Sequence, residues 1–322
     1  MKSTGAKLAI LCFGIASLFS KNGGTAAANP TDSPLSTTCQ KVYDTLNMAP
    51  LETGVYLFTK KFYPWDAADQ LCKKLGLELA STDTKKEADI VYFEANRRND
   101  ETVRFWTSGT DKGRKPGDFI WANGSPVDES QWLRGEPVHV GEEEASCVTV
   151  RRNGLGDCRC ADARKSICEL PQTSGPKTCE NVLDKMNIAV LETGVYKFNS
   201  ESTTWNEARR YCNDLGMRLV TIDNQQEADL VFQEAARRLN NETYVWTSGI
   251  NKDRKNGEYI WLTALEFDDL EENPKTVDSS LWLPGEPKNA KKKSVSGVVL
   301  KRGGLGDRMW GTQGKSVCEL IQ

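Results

Sequence analysis

Apolar positions recur along this chain in two rhythms, and the whole series occurs twice. Val55 to Phe58 is a short apolar run that predicts a strand, and Val195 to Phe198 repeats it. Helical spacing follows. Ala68, Leu71, Cys72 and Leu75 share one face, as do Ala208, Tyr211, Cys212 and Leu215. Pro64 suits the first turn of the earlier helix, Thr204 with Glu207 makes a capping box for the later one, and Gly76 and Gly216 end them. A second helix begins at Thr84 with Glu87, or at Asn224 with Glu227. Its apolar face is Ala88, Val91, Tyr92 and Ala95, or Ala228, Val231, Phe232 and Ala235. Arg97 and Arg98, like Arg237 and Arg238, fall in its last turn, where they complement the helix dipole on a solvated face. Short strand-like pieces, Gly- and Pro-rich loops and a closing strand from Lys165 to Leu170 complete the unit. Helices followed by many short strands predict an α+β fold.

Cys39 to Leu170 matches Cys179 to Leu320. Leu51-Glu-Thr-Gly-Val-Tyr56 recurs as Leu191-Glu-Thr-Gly-Val-Tyr196, and Trp106-Thr-Ser-Gly109 as Trp246-Thr-Ser-Gly249. The offset is 140 residues through Trp121 and Trp261, then 150, so the second unit carries a ten-residue insertion within Ala264 to Val277. That period is far too long for a solenoid. It predicts two tandem globular domains, 39–171 and 179–322, joined by a turn-forming linker at 172–178.

Composition narrows the context. Of 322 residues, 42 are Lys or Arg and 45 Asp or Glu, a formal net charge of −3 that gives no broad drive toward nucleic acid. With 38% apolar residues and nine Trp the chain can build cores and is no disordered polyelectrolyte. Ten Cys favour an oxidising compartment. Lys2 and Lys7, the apolar run Leu8 to Phe19 and the small residues to Ala28 read as a secretory signal peptide over 1–28, which would remove Cys12. No other stretch approaches the ~20 apolar residues of a membrane span. A soluble, secreted, extracellular protein is expected.

The helix-borne Cys72, the Trp106-Thr-Ser-Gly segment, Gly135-Glu-Pro137, Leu155-Gly-Asp157 and the closing Cys168-Glu, in this order and present largely twice, resemble the C-type lectin-like domain. The resemblance covers nearly all of the chain after residue 28. It implies, in each domain, two helices against antiparallel strands with a long irregular loop region carrying the ligand site.

The resemblance also implies the disulfides Cys72–Cys168, Cys212–Cys318 and Cys147–Cys160, with Cys158 as a competing partner for Cys147. In the second unit Gly297 and Trp310 stand at the places of Cys147 and Cys160, so both ends of that bridge are missing together, and Trp310 can compensate by packing. Cys39, Cys158 and Cys179 remain, an odd set that predicts a disulfide-linked dimer or a bridge between the repeats.

In sugar-binding members of the family a Ca²⁺ ion, which needs six to eight oxygens, takes them from a Glu-Pro-Asn segment, a downstream Glu and an Asn-Asp pair. Here Val138 and Lys288 replace the first Asn, and Gly156 and Gly306 the second. Glu136 and Asp157 are left as candidate ligands in domain 1, with Glu142, Glu143 or Glu144 downstream, and Glu286 and Asp307 in domain 2, where Lys288 opposes a cation. Two readings of these four carboxylates stay open, a residual metal site and loop scaffolding bonded to backbone N–H groups. No cofactor is expected, with Ca²⁺ binding at most millimolar in domain 1 and none in domain 2. The ligand-loop candidates are Glu136, Val138 and His139, with Glu286, Lys288 and Asn289.

The acidic run Phe267 to Glu272 and the basic run Lys288 to Lys293 read as solvated loops or, together, a bipolar contact surface. Asn241 and, more weakly, Asn123 are glycosylation acceptors. His139, the single histidine, pairs with Glu143 only as a notional dyad, and Asn289 replaces it in the repeat, so no enzyme is expected. The expected function is recognition of an extracellular glycan or protein without the usual Ca²⁺ chelation. The alternatives are a Ca²⁺-dependent lectin acting through domain 1 and a disulfide-linked matrix or coat component.

Overall fold

A computed structural model describes residues 34–99, 104–141, 146–171, 178–240, 243–251, 258–263, 274–289 and 295–321. The first unit runs α1 (Pro34–Thr45), β1 (Met48–Pro50), β2 (Val55–Phe58), α2 (Trp65–Lys74), β3 (Glu78–Leu79), α3 (Lys85–Arg98), β4 (Phe105–Thr110), β5 (Ser146–Arg151), β6 (Gly154–Arg159) and β7 (Lys165–Glu169). The second repeats it as α4 (Cys179–Lys185), β8 (Ile188–Leu191), β9 (Gly194–Thr203), α5 (Trp205–Asp214), β10 (Arg218–Leu219), α6 (Gln225–Arg238), β11 (Tyr244–Ile250), β12 (Ile260–Trp261), β13 (Ser296–Lys301), β14 (Gly304–Met309) and β15 (Gly314–Glu319). The α+β class holds. A short helix, α1 or α4, precedes the two helices expected in each unit.

The sheet of domain 1 has the order β1-β2-β7-β4-β5-β6, and that of domain 2 the matching order β8-β9-β15-β11-β13-β14. Pairing is antiparallel except for β4 with β7 and β11 with β15. Local chemistry sets the helix ends. The Thr84 hydroxyl accepts from the Glu87 N–H, and the Glu87 carboxylate reaches back one residue further than a capping box requires, to the Asp83 N–H. Thr204 and Glu207 form the complete box. Gly76 and Gly216 adopt φ +75° and +71°, the left-handed geometry that stops α2 and α5.

Among the described residues, three apolar clusters hold the molecule. One lies under α3 and includes Tyr56, Phe105, Trp121 and Val148, and its counterpart under α6 includes Tyr196, Trp261 and Val298. The third crosses the domain boundary. Val42, Leu46, Leu75 and Trp106 belong to the same cluster as Val182, Met186, Trp205 and Trp246. The bridges Cys72–Cys168, Cys147–Cys160 and Cys212–Cys318 form as expected. Of the three cysteines left over, Cys39 bonds Cys179 across the domains. The bridge between the repeats is thus the arrangement observed, and neither residue is left to link a second chain. Cys158 is a free, buried thiol. Trp310 stacks on Trp205 with ring centroids 5.0 Å apart, in the place of the absent second-unit bridge.

Candidate functional site

β5 and β6 form a hairpin whose two-residue turn sets Arg151 opposite Gly154, and therefore Thr149 opposite Gly156 and Val148 opposite Asp157. The loop carrying the cis Glu136–Pro137 bond packs against this hairpin. Asp157 is fully buried, and its carboxylate accepts from the N–H groups of Val138 at 2.7 Å and His139 at 2.9 Å. Burial works against the charged form, but these N–H groups outweigh it and hold the Asp157 carboxyl below the usual carboxylate range. His139 Nδ1 lies 3.4 Å from the same carboxylate. Glu136 accepts from the Arg151 guanidinium at 2.6 Å through one oxygen and from the Asp157 N–H at 3.3 Å through the other. Arg151 also donates to the Asp157 carbonyl at 3.3 Å.

Domain 2 builds the same unit with different chemistry around the cis Glu286–Pro287 bond. Asp307 accepts from the N–H groups of Lys288 at 2.8 Å and Asn289 at 2.9 Å, and from the Tyr259 hydroxyl. Glu286 accepts from Lys301 at 2.8 Å, and Lys288 stands 3.3 Å from it. Burial raises the Glu286 pKa, yet the two ammonium groups, Lys301 foremost, bring it below its ordinary value.

A fixed cation thus lies against each of these glutamates, Arg151 on Glu136 and Lys301 on Glu286. The glycines make room for it. A Cβ at Gly156 would lie 2.4 Å from the Arg151 guanidinium carbon, and one at Gly306 would lie 2.4 Å from Lys301 Nζ. The residue change that removes the amide oxygen is also the one that admits the cation. As placed, the set does not fit a Ca²⁺ shell. Two carboxylates face a guanidinium, an ammonium and backbone N–H groups, and Val138, Lys288, Gly156 and Gly306 bring no side-chain oxygen. Among the described residues no three His, Cys, Asp or Glu side chains stand together in a metal-holding group.

The structure therefore brings Glu136, Val138, His139 and Asp157 together, and likewise Glu286, Lys288, Asn289 and Asp307. Not all of them face outward. Val138 is 59% exposed, whereas Asn289, expected in the ligand surface, is 9% exposed. Arg151 and Lys301 were not among the expected site residues. Their signal was present in the sequence, since both are basic, in register in the repeat, and six residues before Asp157 and Asp307, which are themselves in register. Glu142 to Glu144, Asn241, the acidic run 267–272 and Lys291 to Lys293 lie outside the described residues. The Asn123 amide is bonded to Asp83 at 3.0 and 3.2 Å. Arg97 and Arg98 pair with Glu94, and Arg237 and Arg238 with Glu234. Only Arg97 and Arg237 lie on a solvated face as expected, whereas Arg98 and Arg238 are largely buried and lie over the rings of Phe58 and Phe198.

In domain 2 a groove of about 840 Å³ opens beside Glu286 and Pro287, with Tyr259, Trp261 and Trp282 along it. The Asp223–Lys275 pair stands at its edge. In domain 1 the counterpart of Asp223, Asp83, is instead tied to Asn123 and to the Ser125 hydroxyl.

The family described as "Lectin C-type domain" matches residues 61–170 and 201–320. The chain is similar to C-type mannose receptor 2 of Rattus norvegicus, 24% identical over 255 residues that make up 75% of this chain and 16% of the receptor. It is similar to the CD209 antigen of Homo sapiens, 29% identical over 131 residues, 40% of this chain and 31% of the antigen. The chain thus spans 16–17% of the length of the mannose receptors it matches. Among solved structures, C-type lectin CEL-I from Cucumaria echinata is 23% identical and covers 38% of this chain and 92% of its own, with a TM-score of 0.33.

Proposed function

The chain belongs to the C-type lectin domain family, and from that premise we propose that it is a secreted recognition protein. Its ligand is a glycan or a protein, met by the long-loop faces of the two domains without Ca²⁺ chelation. One observation carries the Ca²⁺-independent part. At the family's chelating glutamates, Arg151 sits 2.6 Å from Glu136 and Lys301 sits 2.8 Å from Glu286. A divalent cation would have to displace a charge already paired in a partly buried site, and would then lie within a few ångströms of it. Similarity to C-type mannose receptor 2 supports a carbohydrate as one ligand class. Secretion is supported by the charged and apolar pattern of residues 1–28 and by four disulfides.

The coat-component alternative needs intermolecular bridges, and Cys39 and Cys179 are consumed by each other. The Ca²⁺-dependent alternative in domain 1 needs Arg151 to leave Glu136. A glycan array run in Ca²⁺ and in chelator, with calorimetric Ca²⁺ titration of the whole chain, tests the proposal. Array binding unchanged by chelator, with no Ca²⁺ affinity tighter than millimolar, is expected. Micromolar Ca²⁺ binding, or sugar binding abolished by chelator, overturns it in favour of the Ca²⁺-dependent lectin.

A further inference from the structure

The contact between the two domains obeys a pseudo-two-fold rule. Cys39 and Cys179 occupy equivalent positions of the repeat and bond each other, as residues on a two-fold axis do. A Cβ at Gly76, ending α2, would lie 2.6 Å from the carbonyl of Lys185, at the end of α4. At the mirrored place a Cβ on Gly216, ending α5, would lie 3.7 Å from the carbonyl of Thr45, at the end of α1. Leu71 and Lys74 of α2 line one depression together with Tyr211 and Asp214 of α5, and α1 packs on α4.

Two ion pairs complete the symmetry and break it. Lys61 pairs with Asp214, and Lys74 pairs with Glu201 at 3.2 Å. In the repeat Lys61 is the counterpart of Glu201, and Lys74 of Asp214. The two bridges are thus the same contact seen from either side of the axis. Domain 1 supplies both lysines and domain 2 both carboxylates. Two copies of domain 1 docked this way would set Lys61 against Lys74 twice, and two copies of domain 2 would set Glu201 against Asp214 twice.

We propose that this pseudo-two-fold face is made directional by charge, so that domain 1 accepts domain 2 and neither accepts its own copy. The apolar cluster that crosses the boundary holds the pair together, and the four charges choose the partner. The consequence is that both loop sites are presented from one body in a set relation, suited to a ligand with two epitopes.

The full chain tests this through its own bridge. In a glutathione buffer, the ratio of oxidised to reduced Cys39–Cys179, trapped and read by mass spectrometry, reports how firmly the two faces meet. K61E/K74E, or separately E201K/D214K, turns both attractions into repulsions. Each should shift the ratio toward the dithiol roughly tenfold, given pairs that are individually weak at exposed positions. The quadruple variant, which exchanges the signs, should return it to within about twofold, a recovery that damage to either domain would not allow. Cys72–Cys168 and Cys212–Cys318 should stay oxidised throughout. An unchanged ratio in either double variant, a quadruple variant no better than the doubles, or Cys39–Cys39 dimers forming readily from the unaltered chain would overturn the proposal.

Discussion

Gly156 and Arg151 are coupled by a single contact, and the coupling can be measured. A Cβ at Gly156 falls inside the volume of the guanidinium, so Gly156→Asn should cost about 1–3 kcal/mol by overpacking. Arg151→Ala alone should also destabilise, because it leaves Glu136 with a partly buried unpaired charge. Together the two changes should cost clearly less than the sum, read by urea midpoints in a double-mutant cycle. Strict additivity would mean that the contact is not shared. A second residue-scale expectation concerns Glu169. Burial, with the charges of Glu87, Asp83 and Glu78 nearby, pushes its carboxyl up from 4.5 to about 8, against the opposing Ser81 N–H. Its counterpart Glu319 has Arg218 at 2.7 Å, where domain 1 has Glu78. Between pH 4.5 and 8 folded domain 1 holds a proton on Glu169 that the unfolded chain releases, so the contribution of this carboxyl to stability is fullest below 4.5 and is lost as pH rises toward 8. Glu78→Arg should flatten that decline in urea midpoints taken across the window, and an undiminished slope would refute the assignment. At this scale the sequence shows which oxygens are missing from the loop site. It does not show the cations beside the remaining ones, because a basic residue on a strand can point into solvent as readily as across a hairpin.

Elements are secured by different means in the two halves. Domain 1 closes the hairpin side of its sheet with Cys147–Cys160, whereas domain 2 lays Trp310 flat on Trp205. Trp310→Ala should therefore cost about 3 kcal/mol and expose Trp205, seen as a red shift in fluorescence together with a lower melting temperature. Domain 2 should also depend more heavily on its remaining internal bridge. Cys318→Ser should lower the melting temperature of the full-length chain further than Cys168→Ser does, and scanning calorimetry of the two variants compares them. Helices α2 and α5 were legible from apolar spacing and glycine stops, and α3 and α6 from apolar spacing and capping residues. The helices α1 and α4 were not. At seven residues α4 is too short to display a periodic face, and its buried Val182, Leu183 and Met186 serve a core shared with the other domain. A pattern that matches no partner within its own repeat looks like a linker.

Across the whole molecule, the Cys39–Cys179 bridge closes a 140-residue separation, worth at most about 5 kcal/mol by loop-closure entropy. Cys39→Ser with Cys179→Ser should lower the melting temperature and split one calorimetric transition into two, as the halves lose their enforced contact. A single unshifted transition would show that the bridge adds nothing to the shared core. The sequence by itself determined the repeat and the α+β class, which rest on local spacing and on residues compared in register. Its resemblance to the C-type lectin-like domain implied the family, the three bridges inside the domains and the loss of oxygens at the loop sites. Tertiary structure alone decided that Cys39 meets Cys179, that Cys158 stays buried and unpaired, that Arg151 and Lys301 stand against the glutamates, and that lysines of one domain face carboxylates of the other. Each of these depends on which surfaces meet in space, and residues 140 apart carry no local signal of the contact they will make.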